Sequence, residues 1–294
     1  MLILISDAFD ASLESKLQVF GEVTTEKARA PEADVILVRA KTICDKAYID
    51  GAKNCKLIIR GGVGIDNIDK AYAESNGILV RNTPRASSIA VAELTFALML
   101  SVPNHIEEYD LGMKSGQWLK NIKRTELYGK TLGLLGIGNI ASKVAERARA
   151  FGMNVVAYDK YVTSSPVATL VPTVEDAVKD ADYISIHMPL TDETRGMFNE
   201  KLFSIMTRKP VIINAARGLI VDAPAMVKAL DEGQVSWYCA DVFPNDPPAE
   251  DYPILKAQHV TLTPHVGANS KENLLRIGDE IVATIKDLMG DGKI

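Results

Sequence analysis

The sequence predicts an α/β protein with two parallel sheets, and three observations support that reading. Short runs rich in Val, Ile and Leu alternate with amphipathic segments from one end of the 294-residue chain to the other. Apolar runs of strand length separated by helical stretches are the pattern of parallel strands covered on both faces by helices. The alternation appears twice, before about residue 88 and after about residue 130, and the length suits two ordinary domains better than one. In the second half a glycine-rich turn at Gly136 joins a strand to a helix.

The elements follow in order. Met1-Leu-Ile-Leu-Ile5 has no basic residues before it and is too short for a secretion signal, so it is read as a buried first strand. Further strands are expected at Val35–Val38, Leu57–Ile59, Ile78–Val80, Leu132–Leu135, Val155–Tyr158, Tyr183–Ile186, Val211–Ile213 and Val260–Leu262, with Trp237–Ala240 also strand-like. Helical periodicity marks Ile140–Phe151 and Ala225–Leu230. The apolar stretch Leu94–Leu100 lies between Glu93 and Ser101-Val-Pro103 and is too short to span a bilayer. Ser101–Arg124, with Pro103, two glycines and Trp118, suits neither sheet; an arm onto a second subunit and a surface excursion both account for it. Asn269–Met289 carries Leu274, Leu275, Ile277, Ile281, Val282, Ile285 and Leu288 on one helical face, and its docking site is open on periodicity alone.

Composition narrows the function classes. With 47% hydrophobic and 24% charged residues, the chain has the balance of a soluble globular protein. A net charge of −5 gives no support for broad nucleic-acid binding. Cys44, Cys55 and Cys239 are an odd set without metal-ligand spacing, so no metal site is expected and free thiols in a reducing, cytoplasmic setting are.

Thr131-Leu-Gly-Leu-Leu-Gly136-Ile-Gly138-Asn139-Ile140-Ala141 is the strongest local signal. A strand enters it, a helix leaves it, and a second strand ends at Asp159. In a dinucleotide-binding turn Gly136 permits the bend, Gly138 lets the pyrophosphate approach, and Ala141 lets the helix pack on the strand. The helix N-terminus offers free N–H groups and a positive dipole end. Asp159 is placed to accept from both adenosine ribose hydroxyls and to repel a 2′-phosphate, which favours NAD over NADP. Lys160, directly after it, points the other way.

Ionisable residues also stand at the ends of the later strands, where open parallel sheets bind ligands. Arg217 follows Val211-Ile-Ile-Asn-Ala215-Ala216, Asp241 and Asp246 follow Trp237–Ala240, and His265 follows Val260-Thr-Leu-Thr-Pro264. Hydride transfer at a carbinol carbon needs a base for the hydroxyl proton, which a neutral histidine supplies. It needs a cation to fix a carboxylate or polarise a carbonyl, which a guanidinium supplies. An acid to orient the imidazole completes the set. Singly, each residue is an ordinary surface charge or turn former; their joint placement carries the expectation. His187, before Met188-Pro189, also ends a strand and is expected near the adenine as a structural residue. In the first half, Arg60-Gly-Gly-Val63-Gly64 exposes amides suited to a carboxylate, or is a plain loop. Arg39, Arg60 and Arg85 at one sheet edge suggest a doubly charged substrate, although solvated surface arginines explain any one of them.

These residues resemble the D-isomer-specific 2-hydroxyacid dehydrogenase family, and within it the branch acting on 3-phospho-D-glycerate. The resemblance spans nearly the whole chain. It rests on Gly62-Val-Gly-Ile-Asp66-Asn67-Ile-Asp69, Asn82-Thr-Pro84, Val91-Ala-Glu93-Leu94, Met113–Trp118, Thr125–Gly133, Asn214-Ala-Ala-Arg217-Gly218, Asp241-Val-Phe243 and Thr263-Pro-His265. It implies a discontinuous flavodoxin-like substrate domain, residues 1–87 plus 269–294, and an inserted Rossmann-like NAD-binding domain, 88–268, with a cleft between them. The 101–124 segment would be a homodimerisation arm. Arg217, Asp246 and His265 would be catalytic. Gly136, Gly138, Asn139, Ile140, Asp159, Met188, Pro189, Ala215, Ala216, Arg217, Asp241 and His265 would bind the cofactor, Asp241 near the nicotinamide amide. Arg39, Arg60, Val63, Gly64, Arg85, Lys120 and Arg217 would bind substrate.

Two positions depart from the family pattern. Its histidine partner is normally Glu, and Asp246 is one methylene shorter, so either its loop moves in or a water bridges. Arg85 stands where glycine or asparagine is common and is expected to bear on substrate choice. The sequence stops at Ile294, so no appended regulatory domain and no serine feedback through one are expected. The expected reaction is oxidation of 3-phospho-D-glycerate to 3-phosphohydroxypyruvate, a step of serine biosynthesis. A hydroxypyruvate or glyoxylate reductase is the rival within the family, and an NAD(H)-sensing corepressor-like module is the rival outside catalysis. No nucleic-acid or membrane partner is expected.

Overall fold

A computed structural model describes residues 1–294, and the chain divides into two compact units. Unit 1 is Met1–Ala90 with Ala268–Ile294, and unit 2 is Val91–Gly267.

Unit 1 holds five parallel strands, β1 (Leu2–Ile5), β2 (Glu22–Thr24), β3 (Val35–Val38), β4 (Leu57–Arg60) and β5 (Leu79–Asn82), in the order β2-β1-β3-β4-β5. That is the flavodoxin-type order, with its switch point between β1 and β3. Side chains alternate between the faces. Leu2, Leu4, Ile36, Val38 and Ile58 build one core, while Ile3, Ile5, Val35, Leu37, Leu57 and Ile59 build the other. The second core is closed by α1 (Ser12–Leu17) and by the terminal helix α10 (Lys271–Gly290). Ile277, Ile281, Ile285 and Leu288 are the buried stripe of α10, spaced as one helical face requires. Ser270 caps the helix through the Asn273 amide, and Lys16 on α1 pairs with Asp279 at 2.6 Å.

Unit 2 holds seven parallel strands, β6 (Thr131–Leu135), β7 (Asn154–Tyr158), β8 (Thr169–Leu170), β9 (Tyr183–Ile186), β10 (Val211–Asn214), β11 (Trp237–Ala240) and β12 (Val260–Leu262). Their order, β12-β11-β10-β9-β6-β7-β8, reverses between β6 and β9, which is the Rossmann switch point. Two cores cover the faces, one around Ile184, Ile186, Phe198, Ile212 and Tyr238, the other around Leu132, Leu134, Val144, Ile213 and Cys239. The second includes Phe96, Leu98 and Met99 of α4 (Ser88–Ser101), so the apolar stretch seen in the sequence is core. No single helix is long and apolar enough to cross a membrane.

Some elements differ from expectation. β2 and β8 lie at sheet edges, and neither is an apolar run. The last strand of unit 1 runs two residues further, to Asn82, where Arg60 pairs with it. Within 101–124, Ile106–Lys114 forms helix α5, entered through the left-handed residue His105 (φ 49°).

Candidate active site

The turn after β6 is built for a phosphate-bearing ligand. Gly136 has φ +91°, and a Cβ there would lie 2.9 Å from the His187 carbonyl oxygen, so the fold itself demands glycine. Gly138 differs: a Cβ there would meet nothing within 4 Å. Helix α6 (Asn139–Ala150) begins directly after it, with Ala141 wholly buried. The open approach to Gly138 and the helix N-terminus together fit a pyrophosphate.

Asp159 sits at the end of β7 and anchors this turn. Its Oδ2 accepts from the Ile137 amide at 2.9 Å, and its Oδ1 from the Tyr161 and Val162 amides at 2.8 and 3.0 Å. Burial acts to raise its pKa, but these three donors outweigh it and hold the carboxylate below its ordinary value. A carboxylate offers about four acceptor positions, so about one is left, on Oδ2. The sequence reading gave Asp159 both ribose hydroxyls; here three of the chain's own amides already donate to it.

Asp159 borders a cavity of about 510 Å³ lined also by Gly136, Gly138, His187, Met188 and Pro189. His187 Nε2 lies 2.9 Å from Ser185 Oγ. The residue is half-buried where it lines the cavity, and desolvation pushes its pKa down to about 4. The side chain is therefore neutral near pH 7.

Three strand ends of the same sheet position the candidate residues. Asn214, fully buried at the end of β10, accepts from the Ala216 amide at 3.0 Å and donates to the Arg217 carbonyl at 3.0 Å, which sets the bend carrying Ala215, Ala216 and Arg217. One Arg217 guanidinium nitrogen donates to the Ala216 carbonyl at 2.7 Å. Asp241, 2% exposed at the end of β11, accepts from Thr263 Oγ1 at 2.6 Å and from the Val266 and Gly267 amides at 2.8 Å each. Those contacts grip both sides of His265, which sits in the left-handed region at φ 54°. A non-glycine residue there costs on the order of 1 kcal/mol or more and persists when its neighbours are pinned. The imidazole itself is exposed, and its Nδ1 hydrogen-bonds directly to Asp246 Oδ2. The shorter acid reaches the ring without a bridging group.

Unit 1 holds its candidate residues at the ends of β3, β4 and β5. Asp7, buried after β1, accepts from the Arg39 amide at 2.6 Å and from the Thr42 amide and hydroxyl at 3.1 and 2.7 Å. Asn67 donates to the Arg39 and Thr42 carbonyls at 2.8 and 2.6 Å. The Arg39 guanidinium is thus presented by a fixed loop, and burial lowers its pKa from a value so high that it stays charged. Arg60 folds back over Gly62, where a Cβ would strike its guanidinium at 1.4 Å. The Val63 carbonyl accepts from Asn82, the Gly62 carbonyl from the Thr83 amide, and the amides of Val63 and Gly64 take no part in holding the turn. Arg85 turns toward α10: its side chain is 84% exposed and its Nε lies 4.0 Å from Glu280.

Lys120 lines a different feature, a groove of about 560 Å³ on the arm with Tyr109, Met113, Trp118 and Arg124. Sequence reasoning missed Asp7, Asn67 and Asn214 as positioning residues. Asp7 and Asn214 are polar residues at strand ends, which was a usable signal; Asn67 carried none beyond its place in the glycine-rich segment.

The D-isomer specific 2-hydroxyacid dehydrogenase NAD-binding domain family matches residues 96–267. A D-3-phosphoglycerate dehydrogenase of Methanocaldococcus jannaschii is 39% identical over 300 residues, covering 98% of this chain but 57% of its own length. The chain therefore spans little more than half of that relative. A hydroxypyruvate reductase of Thermotoga maritima is 40% identical over 263 residues, covering 88% of this chain and 86% of its own. Among solved structures, an acyclic imino acid reductase in complex with NADPH and D-Arg superposes with a TM-score of 0.90 at 28% identity, over 99% of this chain and 98% of that one. With the NAD-binding turn, the strand-end arginine and the histidine–aspartate pair already in place, the chain belongs to the D-isomer-specific 2-hydroxyacid dehydrogenases.

Proposed function

We propose that the chain catalyses NAD-dependent oxidation of a D-2-hydroxy acid at C2, with 3-phospho-D-glycerate to 3-phosphohydroxypyruvate as the preferred pair. The observation that carries the reaction type is the direct bond from His265 Nδ1 to Asp246 on a loop pinned by Asp241. With Nδ1–H donated to the carboxylate, Nε2 keeps its lone pair for the hydroxyl proton, and the imidazolium that forms faces a negative partner. The Arg217 guanidinium, a planar fork with several donors, fixes the substrate carboxylate and polarises the carbonyl. NAD, when bound, supplies the hydride acceptor. Gly136, Gly138, Asn139 and Ile140 hold its pyrophosphate; Asp159, Met188 and Pro189 hold the adenosine; Ala215, Ala216 and Asp241 hold the nicotinamide end.

The preference for a phosphorylated acid rests on Arg39 and Arg60, while the Val63 and Gly64 amides take the carboxylate. Arg85 serves as the control. A panel of 3-phosphoglycerate, hydroxypyruvate, glyoxylate and lactate, followed at the NADH absorbance with both cofactors, tests the proposal. Arg39→Ala and Arg60→Ala should each raise KM for phosphoglycerate about tenfold or more, as expected for losing a charged hydrogen bond, and Arg85→Ala by less than about twofold. Unchanged KM in the first two variants would move the assignment to the second reading, a hydroxypyruvate or glyoxylate reductase, which the Thermotoga relative favours. Binding of NADH without turnover of any acid would overturn the catalytic reading.

A homodimer through the arm accompanies this proposal. Met113 and Trp118, 55% and 75% exposed, line the groove that holds Lys120, and Ile106 and Leu111 on α5 are 59% and 60% exposed, apolar surface of the kind that a second copy covers. Sedimentation should show a dimer that Leu111→Asp dissociates. The three buried thiols fit a cytoplasmic location.

A further inference from the structure

We propose that Glu193 determines cofactor specificity by latching Lys160 across the rim of the adenosine cavity, which keeps that lysine from receiving a 2′-phosphate. The proposal rests on the reading of this cavity as the adenosine pocket.

Three carboxylates border the cavity, Asp159, Asp192 and Glu193, and Lys160 is the one residue there that carries positive charge near pH 7, since His187 is neutral. A lysine directly after the ribose-binding acid is placed to take a 2′-phosphate as a point charge. In this chain it is engaged elsewhere. Lys160 Nζ donates to both oxygens of Glu193, at 2.8 and 2.7 Å, and lies 5.9 Å from the centroid of the Tyr161 ring. The pairing with Glu193 raises the lysine's pKa, so the ammonium stays charged across the working range of pH.

Asp159 alone does not account for the selectivity expected of this site. Three chain amides already draw on its charge, and about one acceptor position remains for a ribose hydroxyl. The rim is kept negative by the sum of its groups, and Glu193 contributes twice: it adds one negative charge and it occupies the only ammonium. The contact is solvent-exposed, with side chains 51% and 70% accessible, so the latch biases the choice of cofactor by a modest factor.

Calorimetric binding of ADP-ribose and of 2′-phospho-ADP-ribose to the full chain tests this without any turnover. Glu193→Gln should shift the affinity ratio toward the 2′-phosphorylated probe by about two- to fivefold, and less at high salt. Lys160→Met added to Glu193→Gln should cancel that gain. A ratio unchanged in Glu193→Gln overturns the latch, and so does a gain that survives in the double variant, which would assign the effect to charge removal alone. If the unaltered chain fails to bind ADP-ribose, the reading of the cavity falls and the proposal falls with it.

Discussion

Two histidines end strands of the same sheet, and the protein treats them in opposite ways. His187 follows β9 at the Rossmann switch point, half-buried and hydrogen-bonded to Ser185, with desolvation holding its pKa near 4. His265 follows β12, exposed, left-handed in backbone and bonded to a carboxylate. A strand end therefore confers position but not chemistry. Whether the ring exchanges protons with a ligand depends on the loop that follows and on the polar residues gripping that loop. At β9 the ring is half-buried and bonded back to Ser185 on its own strand. At β12, Asp241 grips Thr263, Val266 and Gly267 and leaves the ring facing outward.

The largest expected effect would break this comparison if it failed. His265→Gln should lower kcat by about 10²- to 10⁴-fold, the usual contribution of a positioned acid–base, while His187→Gln leaves kcat within a few-fold. Comparable losses in the two variants would erase the distinction. Asp246→Asn comes next: keeping the shape but removing the charge should cost about 10- to 100-fold in kcat, with Asp246→Glu restoring most of it. Steady-state rates against the best acid of the panel measure both.

Stability sharpens the other side. His187 is held neutral in the folded chain, so the unfolded chain takes up its proton first as pH falls. Its contribution is complete above the ordinary value of 6.5 and is lost toward about pH 4, at about 1.4 kcal/mol per pH unit where the slope is steepest. Urea denaturation from pH 7 to pH 4 should show that slope, and His187→Gln should flatten it. The smallest effect is Ser185→Ala, which removes one hydrogen bond and should cost about 1 kcal/mol in the same titration with kcat unaltered.

The strands that the sequence revealed are those whose residues are buried on both faces, such as Val35–Val38 and Val211–Asn214. Glu22–Thr24 and Thr169–Leu170 escaped notice because edge strands pair on one side and need no apolar run. At the site the same division holds. Gly136, Asp159 and the Asp246–His265 pair announce themselves by residue type and by position after a strand. The grips do not, because they join residues far apart in sequence: Asp241 to the loop around His265, Lys160 to Glu193. Arg85 illustrates the cost. It looks like one of three equivalent cations, and the fold alone shows that its side chain is 84% exposed with Glu280 of α10 at 4.0 Å.

The two glycines of the cofactor turn divide the burden of mutation. Changing Gly136 damages the protein whether or not a nucleotide is present, since its own backbone objects. Gly138→Ala should leave an unliganded chain that folds, melts and expresses like its parent. Heredity would register that substitution only through metabolism, so a genetic screen should recover Gly138→Ala among soluble, inactive alleles and substitutions of Gly136 among unstable ones.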